Sequence, residues 1–259
     1  MKKRATAKDL VPLARIGKAA AGVPTGEAFR AEWIDFENGI RVGNLEPHER
    51  ITQVLKYNLE TRHGTPFVTD RWGRGVFWQW ICWLPRANRE AKPVSSGVNF
   101  GCAKLFISVD RETRTFEFGL QVERGYLRGG ESWVLRDDWD WHRLVKQCAK
   151  GTELDAEIRR LVRREGFVAA VDGEGGAAVF RGRDFESAAQ IRAAARRCAP
   201  GQWAGFQLYY PMTEKEVRSC SGHELVLAVL GAFGEVVPAM NLCMQVPLAL
   251  PSAGPRLRA

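Results

Sequence analysis

Metal-type spacing is missing from this chain. Its six cysteines, Cys82, Cys102, Cys148, Cys198, Cys220 and Cys243, form no CxxC pair and no Cys/His cluster at zinc spacing. That excludes a zinc ribbon or a thioredoxin-type centre. Histidine is scarce: the four are His48, His63, His142 and His223, scattered with no partner motif for acid–base work. There is no GxxxxGK[ST], no HExxH, no GxSxG and no GxGxxG after a strand. Phosphate-cradling loops, zincin proteases, α/β-hydrolases and dinucleotide folds are therefore not signalled. No uninterrupted apolar run reaches the ~18 residues of a membrane span. Lys8, Asp9 and Arg15 interrupt an N-terminus that otherwise begins like a signal peptide. Cys82, Cys102 and Cys148 sit in apolar patterns, as buried thiols do. These absences give the expectation of a cytoplasmic protein without membrane, metal or cofactor.

What is present is an ordinary globular balance, 45% hydrophobic and 26% charged, over 259 residues. Nine tryptophans are many for this length and belong mostly to a core. The formal net charge is +8, which points toward a polyanionic partner through steering and counterion release.

The stretch from Val98 to Glu123 reads as one β-hairpin. Phe116, Phe118, Leu120 and Val122 alternate with Thr115, Glu117, Gly119, Gln121 and Glu123, the period of a half-buried strand. Ala103, Leu105, Ile107 and Val109 alternate likewise, and Arg111-Glu112-Thr113-Arg114 is a polar loop of hairpin length. Pairing Asp110 with Thr115 puts Val109 opposite Phe116, Ile107 opposite Phe118, Leu105 opposite Leu120 and Ala103 opposite Val122. Lys104 then meets Gln121 and Phe106 covers Gly119. A slip of one residue would turn every apolar side chain outward, so the register is well specified.

Elsewhere, 10–21 suits a short helix. Phe29, Trp33 and Phe36 fit either a helix or a strand pair turned by Asn38-Gly39. A helix opens at Pro47, with Ile51, Val54, Leu55 and Leu59 inward and Gly64 as its stop. Gly75–Leu84 reads as a central strand with Val76, Trp78, Trp80, Cys82 and Leu84 on one face, followed by a polar loop over 85–97. Residues 126–136 read as a connection. Asp137-Asp138 starts a helix carrying Trp141, Leu144, Val145 and Cys148. Thr152/Asp155, Thr213/Glu216 and Ser221/Glu224 are capping signatures. Asp184 caps an Ala-rich helix, and the last helix stops near Pro238. The fold expected is α+β: a mostly antiparallel sheet with the 98–123 hairpin at its centre, packed against several helices. The expected organisation is a mobile basic tail at 1–9, a single α+β domain at 10–245 with 10–130 and 131–245 as alternative lobes, and a loose tail at 246–259.

The basic features carry the functional expectation. Arg159/Arg163 and Arg160/Arg164 are i,i+4 pairs making adjoining guanidinium rows, and Arg192/Arg196 repeats the device. Guanidinium groups suit phosphate oxygens, though charged helix faces are often just solvated. Arg71, Trp72 and Arg74, with Arg86, Arg89 and Lys92, bracket the tryptophan strand, and Trp72 beside arginines can stack on a splayed base. These twelve residues are the candidate nucleic-acid-binding set of a non-catalytic protein for DNA or RNA. Two alternatives are a metal-dependent nuclease using Glu117 and a structural subunit whose basic surface meets a protein partner. Against a shared metal, Asp110 and Glu123 lie roughly 26 Å apart in this register.

Ile40-Arg41-Val42-Gly43-Asn44-Leu45 before a helix, with Val68-Thr69-Asp70-Arg71 and Arg74-Gly75-Val76-Phe77, resembles part of an RNA-recognition motif over about 45 residues. That resemblance implies a sheet that stacks bases. Its two stacking positions would be Arg41 and Val76, not aromatics, and the family's second helix and fourth strand have no counterpart after Leu84.

Overall fold

The computed structural model describes residues 26–250 apart from 96, 130–131 and 174–175. The expected tail at 1–9, the helix at 10–21 and residues 251–259 lie outside them. In chain order the strands are β1 (Ile34–Asp35), β2 (Gly39–Arg41), β3 (Phe67–Arg74), β4 (Phe77–Pro85), β5 (Lys104–Asp110), β6 (Thr115–Glu123), β7 (Gly125–Gly129), β8 (Ser132–Arg136), β9 (Val168–Gly173), β10 (Ala178–Arg181) and β11 (Ala204–Thr213). The helices are α1 (Ile51–His63), α2 (Arg86–Glu90), α3 (Asp140–Gln147), α4 (Glu153–Arg164), α5 (Ala189–Arg197), α6 (Glu214–Arg218) and α7 (Gly222–Cys243).

Nine strands form one antiparallel sheet in the order β1-β2-β4-β5-β6-β11-β9-β10, with β3 on the other edge of β4. Helices pack against it, so the fold is α+β. Hairpin β5–β6 sits at the centre with the expected register, from Asp110 opposite Thr115 to Lys104 opposite Gln121. β6 pairs in turn with β11 along its whole length, so strands from either side of residue 130 share one sheet. Phe116, Phe118, Leu120 and Val122 enter the main core with Leu105, Ile107 and Val109. Along that face lies α7, whose Leu225, Val226, Val229, Phe233, Val236 and Met240 are buried. α7 is long and apolar enough to cross a membrane, but here most of it is buried against the sheet and its neighbours.

Several local expectations need correction. α7 does not stop at Pro238 but runs to Cys243. Proline there removes one helical hydrogen bond. Burial of Val237, Ala239, Met240 and Cys243 around it offsets that loss. Residues 126–136 are the hairpin β7–β8 and not a plain connection. The 85–97 loop contains α2. Asp184 ends a 3₁₀ turn (Gly182–Asp184), and α5 begins five residues later. The amide N–H of Ala188 before it donates to Asp155 at 2.7 Å. The 29–36 segment combines both readings: a 3₁₀ turn (Ala31–Trp33), then β1 pairing with β2. The capping boxes at Thr213/Glu216 and Ser221/Glu224 are present. Thr152 caps α4 by accepting from the Asp155 N–H, while the Asp155 carboxylate turns to the Gly151 and Ala188 amides.

The likeness to an RNA-recognition motif does not extend beyond its first elements. Strand β2 is three residues long, Val76 lies in the turn between β3 and β4, and the chain after β4 leads to α2 and hairpin β5–β6.

One buried polar centre ties distant segments together. Lys92 and Asp140 are both wholly buried and pair at 3.0 Å. Asp140 also accepts from the Ala103 N–H at 2.7 Å and the Asn88 amide at 2.8 Å. The Asn88 carbonyl oxygen accepts from the Gln245 and Val246 N–H groups. Beyond it, Leu248 exchanges two hydrogen bonds with Asn241, and the Ala249 carbonyl meets the His63 ring. Residues 245–249 are thus held to the body.

Candidate nucleic-acid interface

The sequence Trp72-Gly73-Arg74 forms an irregular end to the β3–β4 pair. Trp72 faces Trp80, but Gly73 faces Trp78, so Gln79 is an extra residue on β4. Such a bulge bends the strand and re-aims side chains. Only glycine fits at position 73: its φ is +149°, and a Cβ there would lie 2.6 Å from the Trp78 Cα. The bulge breaks the expected alternation of β4 at one point: Trp80, Cys82 and Leu84 share a face as expected, and Ile81 and Trp83 the other, but Trp78 changes sides. Trp78 joins the main core, while Trp80 packs with the cluster on the opposite face. Arg71 follows Trp78, its guanidinium 3.9 Å from the ring centroid.

What results is an open cleft of about 650 Å³ lined by Asn38, Trp72, Gly73, Arg74, Phe77, Gln79 and Arg111. Its floor is fixed by hydrogen bonds. The Asn38 carbonyl accepts from the Gln79 amide at 3.3 Å and from Arg111 at 3.4 Å. The Asp35 carboxylate holds the same turn through the Glu37 and Asn38 N–H groups at 2.8 and 2.9 Å. Trp72 is 68% exposed. The cleft therefore offers two aromatic surfaces, two guanidinium groups and an amide floor. That combination can stack a planar base and hold phosphate.

From this cleft a polar network crosses the helix-free face of the sheet. The Trp80 indole N–H donates to the Gln121 carbonyl at 3.0 Å, as does the Gln207 amide at 3.0 Å. Lys104 forms an ion pair with Glu123, both buried, and the Trp203 indole donates to Glu123 at 3.1 Å. Burial disfavours the Lys104 ammonium, yet the charge and hydrogen bond of Glu123, together with neighbouring Cys82 and Cys102, hold its pKa above the usual lysine value. The ammonium lies 5.7 Å from the rings of Trp80 and Phe100. Phe100 meets Tyr126 edge-on at 5.7 Å, and Tyr126 meets Trp133 at 6.4 Å. Phe100 and Trp133 are 46% and 55% exposed.

Glu117 lies on the same face, opposite Ser108 and two pairs from Asp110. Burial, then the Asp110 charge, pushes its carboxyl up to about 7, while a hydrogen bond from Thr115 and the charge of Arg181 act the other way. Burial and Glu117 together raise Tyr209 to about 12. No group of three or more His, Cys, Asp or Glu among the described residues is placed to hold a metal. Cys82, Cys102 and Cys148 are buried free thiols, and burial pushes Cys102 up to about 11.

The twelve candidate residues do not share one wall. Trp72 and Arg74 line the cleft just described, with Arg71 behind it on Trp78. Arg86 is exposed at the start of α2. Arg89 is turned inward and donates to the Asn99 side chain at 2.6 Å, which donates to Asp70 at 2.9 Å. Lys92 is removed from any surface role by its buried pairing with Asp140. Arg159, Arg160, Arg163 and Arg164 line a second cleft together with Arg183. Their helix packs on β9 and β10, five or more strand spacings from β3, roughly 24 Å or more at 4.8 Å each. Arg192 is half-buried on α5 and Arg196 is exposed. Arg111, Phe77 and Arg183 escaped the sequence reading. Arg111 looked like a hairpin-loop residue, and Phe77 was assigned by an alternation that the bulge breaks.

Comparison of the chain with protein families, with curated proteins and with solved structures finds no match.

Proposed function

We propose that this protein binds single-stranded nucleic acid without acting on it chemically, and that the β3–β4 cleft is where it does so. A base stacks on Trp72 or Phe77, and the adjoining phosphates meet Arg74 and Arg111. The observation that carries this reading is the union of exposed aromatic surface and guanidinium groups over a fixed amide floor. Stacking tolerates any base, so little sequence preference is expected. The helix arginines are not needed for this contact, because they lie across the sheet from it.

The test is fluorescence anisotropy with labelled oligo-dT and oligo-U over a salt series. Trp72→Ala should weaken binding by about 1–3 kcal/mol. Arg74→Ala should lower the salt slope by roughly 0.7, one phosphate contact on a single strand. Equal affinity for duplex and single strand, or a Trp72→Ala protein that binds like the wild type, refutes the proposal. One observation favours a second reading, a processing enzyme: Glu117 is poised near neutrality beside Asp110. That reading requires turnover of nucleic acid that Glu117→Gln abolishes.

A further inference from the structure

We infer a second, separate ligand site on α4: a cleft for a small molecule bearing clustered phosphates. Arg159, Arg160, Arg163 and Arg164 from α4 and Arg183 from the 3₁₀ turn after β10 converge on an open space of about 650 Å³. The helical period sets four of them in two adjoining rows, because residues four apart lie one above the other. The buried side of the helix, Leu154, Ile158, Leu161 and Val162, leaves those rows facing out.

The five do not have equivalent surroundings. Arg160 is locked by carboxylates, with Glu235 at 2.7 Å and Glu157 at 3.1 Å, so it forms a fixed wall. Arg159 reaches Asp155 only at 3.9 Å, and its buried Nε has no hydrogen-bond acceptor. Arg163, Arg164 and Arg183 are exposed, and no carboxylate among the described residues lies within ion-pair distance of them. The carboxylate in the lining, Glu157, is taken up by Arg160, so the three unpaired guanidinium groups repel one another and an anion between them relieves that repulsion. Guanidinium forks match phosphate oxygens in pairs.

The lining also decides the class of ligand. Besides the arginines it contains only Ala156 and Glu157. With no aromatic surface it offers a base only guanidinium planes, unlike the β3–β4 cleft. Its volume is that of a small-molecule site. The site thus reads charge density and takes adjacent phosphates on one compact molecule. It stands whether or not the β3–β4 cleft binds nucleic acid.

Inorganic tripolyphosphate is the probe, titrated calorimetrically into the full chain at low salt. Wild-type protein should bind one equivalent. Arg163→Ala/Arg183→Ala should weaken that binding at least tenfold. Trp72→Ala should bind as tightly as wild type, and so should Arg143→Ala/Arg197→Ala, which removes the same charge elsewhere. An abasic oligodeoxynucleotide, which spaces its phosphates singly, should fail to displace the probe. The inference falls if wild type does not bind, if the charge-matched control is weakened equally, if Trp72→Ala loses binding, or if the abasic strand competes. Thermal unfolding of each variant checks that these exposed substitutions leave the fold intact.

Discussion

Glu117→Gln should make the protein more stable at pH 8 than the wild type, and the gain should vanish at pH 4. Glutamine keeps the shape and removes the charge. Glu117 is held at about 7 against an ordinary 4.5, chiefly by burial and then by Asp110. At about 1.4 kcal/mol for each tenfold change in proton affinity, that difference corresponds to ~3 kcal/mol. The carboxyl keeps partial contact with solvent, which reduces the expected value to ~1–2 kcal/mol. The sign follows from proton counts. Between about 4.5 and 7 the folded chain binds more protons at this site than the unfolded chain does, so stability falls as pH rises through that window. Below it both states carry the neutral acid; above it both carry the anion and the full penalty remains. Urea denaturation of both proteins at half-unit steps from pH 4 to 8 isolates the effect, because all other titrating groups are shared. A stability difference that stays constant over that range refutes the claim that Glu117 is forced toward its neutral form.

Lys104→Met should destabilise the protein by about 3–5 kcal/mol in the same assay, since it leaves the Glu123 carboxylate buried without its cation. Adding Glu123→Gln to that variant should recover much of the loss. Gly73→Ala should cost about 1–3 kcal/mol of stability, because it meets both an unfavourable φ and the Trp78 backbone. The same change should weaken oligonucleotide binding, whereas Trp72→Ala should reduce binding with its unfolding midpoint unchanged.

The centre of the fold was readable because two strands announced the same period on either side of a short polar loop. A slip of one residue from Asp110 opposite Thr115 would have turned one apolar set outward. The capping boxes at Thr213 and Ser221 were readable for a similar reason: each is complete within four residues. Features that depend on distant partners were not. Asp140 looked like one more acidic residue in a helix's first turn, and Lys92 like one more cation in a loop; each is explained by the other, 48 positions away. Trp78 was placed on the wrong face because one extra residue on β4 breaks the alternation, and nothing near Gln79 marks it. Hairpin β7–β8 went unseen because its second strand starts with three exposed residues, so no inward–outward rhythm develops. The cleft is legible only in part. Trp72 and Arg74 lie together in sequence, but Asn38, Phe77 and Arg111 arrive from three different turns or strand ends.

The side chain of Asn88 sets an order of events. Its carbonyl oxygen takes the N–H groups of Gln245 and Val246, while its amide holds Asp140. A nascent chain that has not yet emerged past Val246 lacks those two bonds, so this corner closes only after that residue has been made. A chain ending at Met244 contains every strand and helix residue given above yet lacks both bonds that fasten Asn88 of α2. A quality-control protease could recognise such chains by that one unfastened corner.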